Sequence, residues 1–167
     1  MRGAKNPPRP CKNRRTILMK LFTLATLFSM SFAAQAIAQA TQIEVIKTNG
    51  CGCCLAWMKH LEENGFEPTG EDMFAGLFVR FKLDNGVPQR MVSCHTGLID
   101  GYVIEGHVPA GDIRRLLSER PDAVGLAVPD MPLGSPGMDQ SRWREAYDVF
   151  LINNDGSTEV FSSYSGD

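Results

Sequence analysis

An α/β fold is the class this sequence predicts, and three observations lead to it. Gln42 to Lys47 alternates, with Ile43 and Val45 on one side, and reads as a short strand. A helical pattern follows from Cys51 or Gly52 to Asn64, with Leu55, Met58 and Leu61 at helical spacing and Gly65 placed as a left-handed cap. Strand-like and helix-like segments then continue to alternate as far as a terminal pair of strands.

Taken in order, Thr48-Asn49-Gly50 breaks the first strand, and the helix after it presents Cys54, Trp57, Met58 and Leu61 as a continuous apolar face. His60 lies among Lys59, Glu62 and Glu63, so it is expected in solvent. Phe66 to Phe74 reads as a second strand, irregular and at an edge because of Pro68 and Gly70. Ala75 to Asn85 is weakly helical and ends at Gly86, and Pro88 forces a turn before Met91-Val92-Ser93-Cys94-His95. Gly97 to His107 is β-like around an Asp100-Gly101 turn. Pro109 to Arg120 is the second well-marked helix, with Ile113, Leu116 and Leu117 on one face and Pro121 as its stop.

Pro121 to Asp139, with Pro129, Pro132, Pro136, Gly134 and Gly137, is expected to be a long ordered loop burying Leu126, Val128 and Leu133. Tyr147 to Ile152 and Thr158 to Phe161, joined at Asn154-Asp155-Gly156, make a terminal hairpin. A strand leading into a helix that opens on Cys-x-x-Cys points to a thioredoxin-like sandwich.

The chemistry concentrates at Cys51-Gly52-Cys53-Cys54, where three of the five cysteines occupy four positions. Unpaired N–H groups and the positive dipole end of a helix favour thiolate there, the form that binds soft metals and attacks disulfides. Cys51 and Cys54 have the spacing of a small redox disulfide, while Cys53 adds a third sulfur pointing elsewhere. Cys94 and His95 form a second cluster, with His107 beyond. If the fold brings Cys94 to the helix mouth, the site holds four thiolates and at least one imidazole, a donor set that selects Cu(I), zinc or an iron–sulfur cluster over magnesium or calcium. Two structural disulfides are the plainer reading, but adjacent Cys53 and Cys54 do not readily bond each other, and a bridge from Cys51 to either closes too small a loop to staple a fold.

Residues 1–40 read as a secretory signal. Leu21 to Phe28 is an apolar run after Lys20, and cleavage after Ala38 or Ala40 satisfies the small-x-small pattern. Met19-Lys20 offers a second start, and Asn13-Arg14-Arg15-Thr16-Ile17-Leu18 resembles a twin-arginine signal. Cys11 is removed with the leader. The mature domain, 41–167, is then expected in the periplasm, with no membrane association after cleavage. Its ten basic and nineteen acidic residues give a net charge of −9. Nucleic acid, which needs a basic stripe, is not an expected partner.

Cys51-Gly52-Cys53-Cys54-x-x-Trp57, Gly86-Val87-Pro88, Ser93-Cys94-His95-Thr96 and the run Asp100 to Pro109 together resemble the CopG-type periplasmic copper-resistance proteins. The likeness continues through Ile113-Arg114-Arg115-Leu116-Leu117, Gly125 to Pro129, Met131-Pro132 and Gly134 to Met138. It implies a thioredoxin-like fold and a multinuclear, thiolate-bridged Cu(I) cluster on Cys51, Cys53, Cys54 and Cys94, with a redox role in copper handling.

Beside those four cysteines, His95 reads as a ligand, a donor tuning Cys94, or a satisfied polar group. His107 is a ligand or a hydrogen-bonding anchor. Met131 and Met138 have thioethers suited to Cu(I), though such a pair also packs loops. Asp100, Glu105 and Asp112 read as solvated turn charges rather than acid/base groups. Three functions follow: a protein that sequesters copper ions, exchanging them with other periplasmic copper-handling proteins; a thiol–disulfide oxidoreductase attacking through Cys51 and resolved by Cys54; and a zinc protein, for which Cys₄ or Cys₃His suffices. As an enzyme, the chain would be a copper- or thiol-linked oxidoreductase.

Overall fold

The computed structural model describes residues 41–138 and 142–167. The expected leader with Cys11 and its two candidate starts, and Asp139 at the end of the expected loop, lie outside the described residues. Among those described, seven strands form one mixed sheet and three helices pack on it. The strands are β1 (Thr41–Lys47), β2 (Phe66–Asp72), β3 (His95–Ile99), β4 (Tyr102–Glu105), β5 (Ala123–Ala127), β6 (Tyr147–Asn153) and β7 (Thr158–Tyr164); the helices are α1 (Gly52–Glu63), α2 (Ala75–Asp84) and α3 (Ala110–Glu119). Spatial order is β2-β1-β3-β4-β5-β6-β7. β1 runs parallel to β2 and β4 to β5, while the other neighbours are antiparallel.

Residue alternation along the central strands assigns the helices to faces. Ile104 of β4 packs with Trp57 and Leu61 of α1 and Ile113 and Leu116 of α3 in the larger core. Its neighbour Glu105 turns the other way and meets Lys82 of α2. Val87, Met91, Val103, Ala127 and Ile152 make the smaller core on that second face. Trp57 is fully buried and donates its indole N–H to the Val108 carbonyl at 2.9 Å, so one side chain ties α1 to the entry of α3.

Most expected elements form close to where the sequence places them. Pro109 precedes α3, Arg120 ends it in the left-handed conformation, and Asp100-Gly101 closes the β3–β4 turn with positive φ at both residues. Three expectations are corrected. β2 stops at Asp72 rather than Phe74: its partner β1 ends at Lys47, Met73 makes the last bond to that strand through Lys47 O, and Phe74 becomes the cap of α2.

The expected loop from Pro121 to Asp139 contains β5, which the sequence reading missed. Sandwiched between β4 and β6, this strand buries both faces at its end and shows no alternation, and Gly125 hides it further. A Cβ at Gly125 would sit 1.8 Å from Val103 O, so only glycine permits this approach of the two strands.

His60 is half-buried rather than solvated. Its Nε2 accepts the N–H of Ala110 at 3.2 Å, serving the first residue of α3, whose cap Pro109 offers no side-chain acceptor. Leu55, although at helical spacing, points outward and is 55% exposed. No helix among the described residues is long and apolar enough to cross a membrane.

Candidate metal centre

α1 positions the first three sulfurs. Cys51 is its cap residue in an extended conformation, so Cys51 and Cys54 stand one turn apart and are joined as a disulfide. Cys53 keeps a free, half-buried thiol; Cys54 is fully buried. Cys94 comes from the segment entering β3, which runs antiparallel beside β1 and so begins at the mouth of α1, His95 pairing with Lys47. Its Sγ lies 3.6 Å from that of Cys53, which is itself 3.6 Å from Cys51 Sγ. All four sulfurs fall within 4.8 Å of one another.

Sulfurs 3.6 Å apart suit a shared metal. With metal–sulfur bonds of about 2.3 Å, the angle at the metal is about 100°, close to tetrahedral. The donor set therefore fits a soft ion, once the disulfide has been opened to supply Cys51 and Cys54 as thiolates.

Two imidazoles converge on the same sulfur. His95 Nδ1 and His107 Nε2 each lie 3.1 Å from Cys94 Sγ, and the three ligating atoms also fall within 4.8 Å of one another. His107 Nδ1 donates to the Pro136 carbonyl at 2.8 Å, so the hydrogen-bond pattern assigns its proton there and leaves the Nε2 lone pair facing Cys94. In the metal-free site the Cys94 thiol can donate to that lone pair while His95 Nδ1–H donates to the sulfur. His95 Nε2 is then a buried atom with no hydrogen-bond partner among the described residues. The His95 ring lies against Trp57, centroids 4.2 Å apart, and edge-on to His107 at 4.8 Å.

Burial lowers both imidazoles, His95 well below its usual value, so both stay neutral: His107 keeps its Nε2 lone pair toward Cys94, and His95 would ligate through Nδ1 once its proton sits on Nε2. Cys94 moves against the expectation for thiols in this site. Burial first, and then the neighbouring Cys53 sulfur, push it up to about 12. Desolvation wins even at the mouth of α1, and a metal must displace the thiol proton.

The loop after β5 covers α1. Gly137, at φ 85°, presses on its first turn, where a Cβ would lie 2.7 Å from Trp57 N and 2.9 Å from Cys53 O. Met138 follows it and is half-buried. Met131 instead lines a surface cleft of about 360 Å³ with Pro129, Tyr147 and Phe150, where no cysteine or histidine of the centre reaches.

A buried charge network behind Cys94 was missed by the sequence reading. Glu105, expected as a solvated turn charge, is fully buried, as is Lys82, and the two meet at 2.6 Å. Burial pushes Lys82 down and Glu105 up, and their mutual attraction opposes both shifts. Asp112 is likewise buried, accepting from Ser162 at 2.6 Å and Tyr164 at 2.7 Å, which fastens α3 to β7. Asp100 is exposed and pairs with Arg120, as a turn charge would. The available signals were a lysine four residues after Phe78 on the buried stripe of α2, and a carboxylate ending an apolar strand.

An α/β protein with a compact cysteine and histidine centre for a soft metal is the class these features define. Residues 91–138 match a family described as "Protein of unknown function, DUF411". No curated protein matches the chain. Among solved structures, "Copper resistance protein copG- Form 1" is 46% identical over 77% of this chain and all of that one, with a TM-score of 0.72. Form 2 of the same protein is 47% identical over 75% of this chain and 99% of that one, at 0.70. The chain belongs to the CopG-type copper-resistance family. Copper-related metal binding is the role that this membership and the cysteine group support.

Proposed function

We propose that this protein binds Cu(I) in the periplasm through the thiolates of Cys51, Cys53, Cys54 and Cys94, assisted by the imidazoles of His95 and His107, as a multinuclear thiolate-bridged cluster. The observation that carries the reading is the arrival of Cys94 within 3.6 Å of Cys53. That approach puts four sulfurs in one pocket with two neutral histidines beside it. Bonding and redox chemistry are linked, because the Cys51–Cys54 disulfide takes up two electrons and two protons from a thiol reductant before its sulfurs can hold copper. Export rests on the leader at 1–40, and N-terminal sequencing of the mature protein after Ala38 or Ala40 tests it. The strand order β2-β1-β3-β4, with α1 following β1 and α3 following β4, supports a thioredoxin-like core extended by β5, β6 and β7.

A second reading, thiol–disulfide exchange through Cys51 and Cys54, is favoured by their pairing across the first turn of α1. Zinc is the third, since the same donors satisfy it. Anaerobic titration of the reduced mature protein with Cu(I) separates them. More than one copper per chain, with loss of free thiol, supports the cluster. No copper uptake together with reduction of insulin disulfides supports the oxidoreductase, and tight zinc uptake without copper supports the third reading. Cys53→Ser sharpens the test: copper stoichiometry falls while exchange through Cys51 and Cys54 persists, and full copper uptake in that variant contradicts the ligand set.

A further inference from the structure

His107 lies in the short turn between β4 and α3, and the bond that orients its ring comes from elsewhere in the chain, Nδ1 donating to the Pro136 carbonyl at 2.8 Å. That carbonyl belongs to the segment 130–138, which is bonded far more closely than a connection from β5 to β6 requires. Asp130, in the left-handed conformation at φ 59°, accepts the Ser93 hydroxyl on its carbonyl. Leu133 donates its N–H to Glu145 Oε2 and accepts the Glu145 N–H, both at 2.8 Å. Ser135 is fully buried, donates its hydroxyl to the Pro132 carbonyl at 2.7 Å and accepts the Met138 N–H at 2.8 Å. Gly137 then rests on the first turn of α1, where a Cβ would collide with Trp57 N and Cys53 O. That turn cannot yield, because Cys54 and Trp57 are fully buried in the core. A side chain at 137 therefore displaces the segment rather than the helix, and draws the adjoining Pro136 carbonyl away from His107.

We propose that 130–138 is a strap that aims His107 at the metal, and that Gly137 is the positioning residue that seats it. The inference rests on the copper reading above and deepens it. With the Pro136 carbonyl in place, the His107 proton stays on Nδ1 and the Nε2 lone pair faces Cys94 Sγ at 3.1 Å. Without that acceptor the ring can turn and either nitrogen can carry the proton, so the lone pair meets the metal only part of the time. The acceptor is a backbone carbonyl, which no substitution at 136 removes; its position is set by the seat at Gly137.

The test compares Gly137→Ala with the parent in two measurements. Nitrogen NMR of the histidines in reduced protein, before metal is added, reads the tautomer directly: His107 should hold its proton on Nδ1 in the parent and become a mixture of tautomers in Gly137→Ala. Anaerobic Cu(I) titration against the chelator bathocuproine disulfonate should show affinity weakened about tenfold in Gly137→Ala, but a further loss within about threefold when the same change is made in His107→Ala. An unchanged tautomer in folded Gly137→Ala, parental copper affinity, or an equal tenfold loss in the His107→Ala background overturns the proposal. Should Gly137→Ala fail to fold, Glu145→Ala decides, since that exposed side chain holds the strap at Leu133 and touches no proposed ligand. A mixed His107 tautomer in that variant supports the strap, and the parental tautomer refutes it. Failure of the parent to bind copper would instead remove the copper reading, while the tautomer measurement still judges the strap.

Discussion

Replacing Cys94 by serine removes a sulfur and little else. The side chain is half-buried, and a serine hydroxyl retains a donor for His107 Nε2, so the fold should lose about 1 kcal/mol or less. The consequence for metal is much larger. Cys94 Sγ is the one atom common to the group of four cysteines and the group of Cys94, His95 and His107. Groups that merely orient a metal ligand are worth about 10–100-fold in affinity, so a lost shared thiolate should cost at least about a hundredfold. A second signature accompanies it. Burial pushes the Cys94 thiol up to about 12, so the first metal that binds it at neutral pH releases its one proton, and affinity through that sulfur climbs about tenfold per pH unit. The variant loses this contribution to the slope. Anaerobic Cu(I) competition at pH 6, 7 and 8 reads both quantities. A Cys94→Ser protein within threefold of the parent, with the same pH slope, would refute the reasoning.

Further outcomes follow from the same geometry. Protein left with its Cys51–Cys54 disulfide intact should bind clearly less Cu(I) than protein treated with dithiothreitol, and equal uptake by both forms would place the metal elsewhere. Trp57→Ala should destabilise the fold by about 3–5 kcal/mol in urea unfolding, through a cavity beneath α1 and the lost bond to Val108; a cost below about 1 kcal/mol would contradict that core. The metal-free protein should lose stability in acid because of His95 and His107, both lowered in the folded state from an ordinary 6.5. Their contribution is fully present above pH 6.5 and is lost as pH falls through it, when the unfolded chain takes protons the folded one refuses. The slope they supply is at most about 3 kcal/mol per pH unit. Denaturant midpoints at pH 7, 6 and 5.5 check this, and a flat profile would count against neutral buried imidazoles.

What was legible in the sequence was what depends on neighbours along the chain. The caps of α1 and α3, the Asp100-Gly101 turn and the terminal hairpin are local chemistry, and they formed close to where they were expected. β5 was illegible because its environment is made by β4 and β6, not by its own alternation. His60, Glu105 and Asp112 were misplaced for the same reason. Each has polar partners contributed by another element, and composition cannot reveal a partner 23 to 52 residues away. At the site, the crowding of Cys51, Cys53 and Cys54 announced sulfur chemistry by itself. The approach of Cys94 did not follow from spacing; it depends on β3 pairing beside β1, which only the folded sheet supplies. Pro136, whose carbonyl sets the His107 tautomer, gave no signal beyond membership in a proline-rich loop.

X-ray absorption at the copper edge, on reduced protein loaded anaerobically with Cu(I), addresses the shared sulfur pocket most directly. A shell of sulfur neighbours near 2.3 Å, thinned in Cys94→Ser, is the predicted result. A shell of nitrogen and oxygen alone, or a sulfur shell indifferent to Cys94→Ser, would contradict it.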